Sequence, residues 1–309
     1  MSTRSLRVWT PASLVANMAI VWTGALVRLT GSGLGCPTWP ECEPGSYTPT
    51  EAMGIHGLIE FGNRLLTFVL VAIALGTFLA AWRAWRRGEA PARLPRLAFA
   101  VGAGIIAQAV IGGLSVLAQL NPWIVGLHMA ASVVLILVCV AMVHFAYGVP
   151  RVPQPGRLAA LMPVVFWLGM AVIALGVVVT GAGPHAGDGA AQRNGLSPEW
   201  TAKAHAWAVW ALVALTALGL LWAWADPRLR RLWLGLLAVE LLQGAIGYVQ
   251  YFAHLPILLV LLHMVGTTLF AAWLGHVAFL TRRDGDAPRP DALGAEAHSN
   301  AAGASPRES

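Results

Sequence analysis

The chain has 309 residues, 57% of them hydrophobic and only 11% charged, where an ordinary soluble domain carries roughly a quarter charged. That balance excludes most water-soluble enzymes of this size. The net charge of +6 rests almost wholly on arginine, since Lys203 is the only lysine, and the arginines sit between apolar stretches. This pattern orients a chain in a membrane and argues against a nucleic-acid partner.

Arg4 and Arg7 precede the first apolar run, which has no small-residue cleavage site after it and reads as a retained helix. A span needs about 20 apolar residues, because the bilayer core offers no water to unpaired backbone groups. Eight segments meet that need, near 9–29, 58–82, 97–119, 123–147, 158–180, 201–225, 229–252 and 255–280. Glu41, Glu43 and Glu51 lie in the first connection, and Arg83, Arg86, Arg87, Arg93 and Arg96 in the second. Arg151 and Arg157 follow the fourth span, Arg228, Arg230 and Arg231 the sixth, and Arg282 and Arg283 the eighth. Arginine-rich short loops stay in the cytoplasm, so both termini are expected there, in a multi-pass protein of the cell membrane. From Thr281 the tail is rich in Asp, Arg, Pro, Ala and Ser, and is expected to be disordered.

Short motifs recur in order. Thr30-Gly31 returns as Thr180-Gly181, Gln108-x-x-Ile111-Gly112 as Gln243-x-x-Ile246-Gly247, and Leu127-His128-Met129 as Leu262-His263-Met264. The offset falls from 150 to 135, as it would if one outer loop were shorter in the second half. Such symmetry points to paired sites. The expected fold is all-α: eight transmembrane helices forming two pseudo-symmetric four-helix bundles, residues 1–150 and 151–280, with the tail 281–309.

Ionisable side chains within a bilayer mark pathways or cofactors. His128, His205 and His263 all lie one or two turns in from the same face. Two imidazoles on facing helices, with no acidic or soft ligand beside them, suit an axially ligated haem better than zinc, which wants four ligands in a closed site. His205 and His263 form such a pair; the alternative is that each merely bonds a neighbouring helix. On the second helix, His56, Glu60 and Asn63 share one stripe. Glu60 has no counterpart in the second half, where Ala202 stands opposite it. It could stabilise positive charge or move protons near an iron, and it is also placed to pair with Arg64 at i+4. His144 and His276 lie toward the cytoplasmic ends and read as interfacial histidines, with a second haem stacked along the helix pair as the other reading. His185 and His254 lie in or near outer loops and could touch haem propionates or nothing.

Cys36 and Cys42, six positions apart, fall in an outer loop where a disulfide can persist. It would be either a structural staple or a redox-active relay. Cys139 reads as a packing residue, no CxxC suggests a zinc site, and Arg28 would pair with a propionate or snorkel.

The run Gly24-Ala25-Leu26-Val27-Arg28-Leu29-Thr30-Gly31-Ser32-Gly33-Leu34-Gly35-Cys36, then Trp39-Pro40-x-Cys42, Ile59-Glu60-Phe61-Gly62-Asn63-Arg64 and the Leu-His pairs at 127–128 and 262–263 together resemble the bacterial haem A synthase family, integral membrane enzymes related to the mitochondrial one. The resemblance covers about residues 9–280. It implies oxygen-dependent successive hydroxylation of one ring methyl group of haem O, giving haem A for terminal oxidase assembly. It also implies haem b held by His205 and His263 in the C-terminal half. The substrate haem then belongs to the N-terminal half, at Asn63 and His128 with Glu60 beside them, and the cysteine pair of the family maps to Cys36 and Cys42. His56, Arg64 and Arg28 complete the expected substrate pocket. Many family members have His where this chain has Asn63, so His128 would hold the substrate iron alone, leaving the opposite position open to oxygen, unless His56 substitutes. Implied partners are haem O, molecular oxygen, an unidentified electron donor, haem O synthase and a further copy of the chain. The competing classes are a bis-histidine cytochrome b electron-transfer subunit and a transporter or haem-handling scaffold.

Overall fold

The computed structural model describes residues 3–283, of which eight long helices make up most. They are α1 (Thr3–Leu29), α2 (Gly54–Arg86), α3 (Arg93–Leu117), α4 (Pro122–Tyr147), α5 (Gly156–Ala182), α6 (Pro198–Ala223), α7 (Pro227–Phe252) and α8 (Ile257–Leu280). All eight are long and apolar enough to cross a membrane. Large apolar side chains such as Phe68, Phe99, Trp167 and Leu221 point outward at 66% exposure or more, an arrangement that lipid tolerates and water does not. The protein is an all-α, multi-pass membrane protein.

Local chemistry sets the helix starts. Asn121, Ser197 and Asp226 cap α4, α6 and α7 by accepting backbone N–H groups of Trp123, Trp200 and Arg228, and each is followed by proline at the first helical position. α1 and α2 extend several residues beyond their apolar cores, because a helix continues into the headgroup region wherever nothing breaks it. Two three-residue strands, β1 (Val152–Gln154) and β2 (Thr281–Arg283), pair in parallel. The first three residues of the tail expected to be disordered are thus a strand; the tail beyond lies outside the described residues.

Helices α1 to α4 pack as one ring and α5 to α8 as another, and α1 and α4 of the first meet α8 of the second. The seam is apolar: Met18, Val21, Val133 and Ile136 join Phe270, Ala271, Leu274 and Val277 in one buried cluster. A polar stitch crosses it, from Trp22 Nε1 to Thr268 Oγ1 at 2.8 Å. His144 and His276 also meet there, with ring centroids 4.9 Å apart. His144 is 4% exposed and donates through Nδ1 to the Val140 carbonyl. The expected interfacial histidine is therefore a buried side chain between the bundles, and rings in direct contact leave no room for a stacked second haem.

The duplication appears in backbone geometry. Gln119 and Leu120, between α3 and α4, have φ of 52° and 57°, and His254 and Leu255, between α7 and α8, have 60° each. These left-handed pairs lie 135 residues apart, the offset of the sequence repeat. Leu120 N–H reaches the Ser115 carbonyl and Leu255 N–H the Gln250 carbonyl, both at 2.7 Å. Left-handed backbone costs roughly 1–2 kcal/mol at each non-glycine residue, so two such turns at one offset are poorly explained by coincidence.

Candidate functional site

The chemistry-bearing residues gather at the end of the bundles where the α1–α2, α3–α4, α5–α6 and α7–α8 connections lie. His128, His205 and His263 stand six, seven and six residues into α4, α6 and α8, or roughly 9 to 11 Å at 1.5 Å per residue. They share a depth.

Each of the three rings rests on a glycine of the preceding helix. A Cβ at Gly112 would stand 3.3 Å from His128 Cε1, at Gly176 3.3 Å from His205 Cε1, and at Gly247 3.4 Å from His263 Cε1. Among the described glycines no other has a histidine side chain so close. His205 Nδ1 donates to the Val172 carbonyl at 3.1 Å, which fixes its tautomer and frees Nε2 as a ligand.

The two halves share a further arrangement. Ser132 Oγ donates to the carbonyl of His128 at 3.0 Å and Thr267 Oγ1 to that of His263 at 2.8 Å. Gln108 Nε2 also reaches the His128 carbonyl at 3.0 Å, and Gln243 presses on α8 at Gly266. The buried atoms Asn63 Oδ1, Gln108 Oε1, His128 Nδ1 and Gln243 Oε1 have no hydrogen-bond partner. Buried polar atoms are nearly always paired, so orphans gathered near these histidines mark places where further ligands or water belong. Gln108, Gly112, Gln243 and Gly247 were visible in the repeat, but the repeat alone does not say that they contact histidines.

The first half differs in three respects. Asn63 stands where the register puts His205 in the second half. Glu60, 5% exposed, pairs with Arg64 at 2.5 Å and accepts the Cys36 backbone N–H through Oε2. Arg64 also donates to the carbonyls of Cys36 and Thr38, both at 2.9 Å, and of Glu41 at 3.2 Å. The i+4 ion pair is thus the clamp that holds the loop onto α2. Within that loop Cys36 and Cys42 form a disulfide with Cα atoms 4.5 Å apart, and they are 0% and 1% exposed. A buried disulfide meets an external thiol only if the loop opens.

Cys36→Ser should cost about 2 kcal/mol, the loop-entropy value for a ring this short. Thermal unfolding of the purified protein in detergent checks it.

The remaining candidates lie apart from the three rings. His56 Nδ1 bonds Ser32 Oγ at 2.9 Å, and the exposed ring borders a surface cleft of about 380 Å³ with Met53 and Asp188. Arg28 donates to the carbonyls of Thr180 at 2.7 Å and His185 at 2.5 Å, so its guanidinium ties α1 to the α5–α6 connection. His185 in turn donates through Nε2 to the Leu255 carbonyl at 2.9 Å. Glu240 Oε1 accepts from Thr216 Oγ1 at 2.9 Å, deep between α6 and α7. Cys139 is buried against Ser13 and Asn17. Among the described residues no cluster of three or more His, Cys, Asp or Glu could hold a bare metal ion.

Eight spanning helices in two like bundles, with histidines converging at one end, define a polytopic membrane protein of duplicated four-helix design. The family model described as COX15-CtaA, cytochrome oxidase assembly protein, matches residues 7–275, and the chain belongs to that family. It is similar to a protein of Lysinibacillus sphaericus named Heme A synthase, with 38% identity over 132 residues, 42% of this chain and 41% of the relative. A protein of the same name from Listeria monocytogenes is 30% identical over the same shares. One from Staphylococcus epidermidis is 29% identical over 162 residues, 52% of each chain. The matches thus span about half the length of these relatives or less.

Proposed function

We propose that the chain is a haem A synthase, an oxidoreductase that hydroxylates one methyl group of haem O successively, with molecular oxygen, to give haem A. The observation that carries this reading is the asymmetry of two otherwise matched sites. Both halves set a histidine on a glycine of the preceding helix, at α3–α4 and at α7–α8. Only the second half adds a second such histidine, His205, and only the first adds Glu60. A pair of histidines would suit a haem that only carries electrons, whereas a single histidine would suit one that must also meet oxygen.

In this reading His205 and His263 hold haem b in the C-terminal bundle, and His128 holds the substrate haem in the N-terminal one. When bound there, haem b would supply electrons for the oxygen-dependent hydroxylation of the substrate. The protein binds, orients and moves protons. Val172 fixes His205, while Ser132 and Thr267 brace the carbonyls behind His128 and His263. Asn63, three residues from Glu60, offers an amide rather than a strong ligand. Glu60 provides an acidic group that can stabilise positive charge or accept a proton, held in place by Arg64. The arginine distribution supports cytoplasmic termini and an outward-facing disulfide loop. The electron donor, haem O synthase and a second copy of the chain are the expected partners.

A cytochrome b electron-transfer subunit would need two fully ligated haems, and Asn63 weighs against it. Chromatography of haems extracted from the purified protein decides the matter: haem b with haem O or haem A supports the synthase, and haem b alone at two per chain overturns it.

The glycine seats give an independent check. Gly176→Ala brings a methyl group within 3.3 Å of the His205 imidazole, tighter than ordinary contact, and the outer shell of a metal ligand commonly controls affinity by 10- to 100-fold. Haem b occupancy, read as Soret absorbance per protein, is expected to fall by about tenfold.

A further inference from the structure

Trp39 is the one large aromatic residue of the loop between Cys36 and Cys42. Its indole lies on α3 at Gly113, where a Cβ would collide with the ring. The adjacent residue, Gly112, seats the His128 imidazole. Indole and imidazole therefore rest on successive residues of one helix, about 1.5 Å apart in depth. The neighbouring Thr38 carbonyl is tied to Arg64, so the loop runs from the Glu60 and Arg64 clamp on α2 to Gly113 on α3. It spans the two helices that carry Asn63 and the seat of His128.

The second half has nothing equivalent. At the repeat offset, Gly113 becomes Tyr248, which is turned outward at 43% exposure and takes a hydrogen bond from Trp210 Nε1 at 2.9 Å. Glycine at 113 admits the indole, and tyrosine at the same register leaves no such seat. Two sites that share their histidine seating thus differ in this aromatic wall.

We propose that Trp39 forms a wall of the N-terminal haem site, presenting a flat apolar face to a porphyrin macrocycle, and that Gly113 is glycine in order to seat it. Flat aromatic groups stack well in offset or edge-on contact. The assignment rests on the synthase reading.

The test uses the full-length protein purified from cells that make haem O. Three variants are compared with wild type: Trp39→Ala, Trp39→Phe and Gly113→Ala, the last of which displaces the indole while retaining it. The readouts are haem O plus haem A relative to haem b by chromatography, and free thiols by mass shift after alkylation. The expected result is at least a fivefold fall in that ratio for Trp39→Ala and Gly113→Ala, partial retention for Trp39→Phe, unchanged haem b and no free thiol. An unchanged ratio in Trp39→Ala overturns the proposal. So does a fall accompanied by free thiols or lost haem b, because the indole would then only hold the loop together. If wild type itself contains haem b alone, the synthase reading has failed, an outcome distinct from a wild-type ratio that the variants leave intact.

Discussion

Glu60→Gln is expected to abolish most haem A formation while leaving haem b in place. The substitution keeps the shape of the side chain but removes its charge and its capacity to accept a proton. Positioned acid–base groups contribute about 10²- to 10⁴-fold to rate, so haem A should fall by at least about 100-fold, with haem O or its alcohol accumulating. Glu60→Ala adds a structural cost, since Arg64 then loses its counter-charge. That cost should stay below the roughly 3 kcal/mol typical of a fully buried pair, because the Arg64 side chain keeps 20% exposure. Arg64→Ala is the control: it releases the loop carbonyls of Cys36, Thr38 and Glu41 but keeps the carboxylate. Quantifying extracted haems from cells carrying each variant separates the two roles. Wild-type haem A from Glu60→Gln would remove the carboxylate from the chemistry and leave it as a loop clamp.

The second large effect is expected at the paired histidines. In the proposed reading His205→Ala and His263→Ala each remove a ligand of haem b, and either should lower its occupancy by more than about tenfold, beyond the effect of loosening an outer-shell partner. His128→Ala is expected to spare haem b and empty the substrate site. Difference spectra of reduced against oxidised protein, with the haem-to-protein ratio, distinguish the two patterns. Loss of haem b from His128→Ala, or its retention in both second-half variants, would reverse the assignment of the halves.

The two predicted effects rest on features of unequal visibility in the chain. The eight spans stand out because a bilayer allows only long apolar helices whose backbone is satisfied internally. The histidines were conspicuous because polar side chains are scarce in such segments. The duplication was legible in three short motifs, yet its strongest evidence, the consecutive left-handed pairs at Gln119-Leu120 and His254-Leu255, has no marker residue. Neither pair contains the glycine that usually announces positive φ. The helix starts at Pro122, Pro198 and Pro227 were also written plainly, in the cap-then-proline pairs that precede them.

Sequence by itself determined the number of spans, the doubling of the bundle and the shared depth of His128, His205 and His263. All of these follow from spacing along a chain whose rise per residue is fixed. Only the tertiary structure decided what sits across a helix gap: Gly112, Gly176 and Gly247 as seats for three imidazoles, Trp39 against Gly113, His144 against His276, and Arg64 holding the loop while bound to Glu60. Such contacts join residues separated by 16 to 132 positions, except for the i+4 pair, and periodicity within one helix carries no information about which face of the next helix will meet it. Packing side chains without voids settles that question.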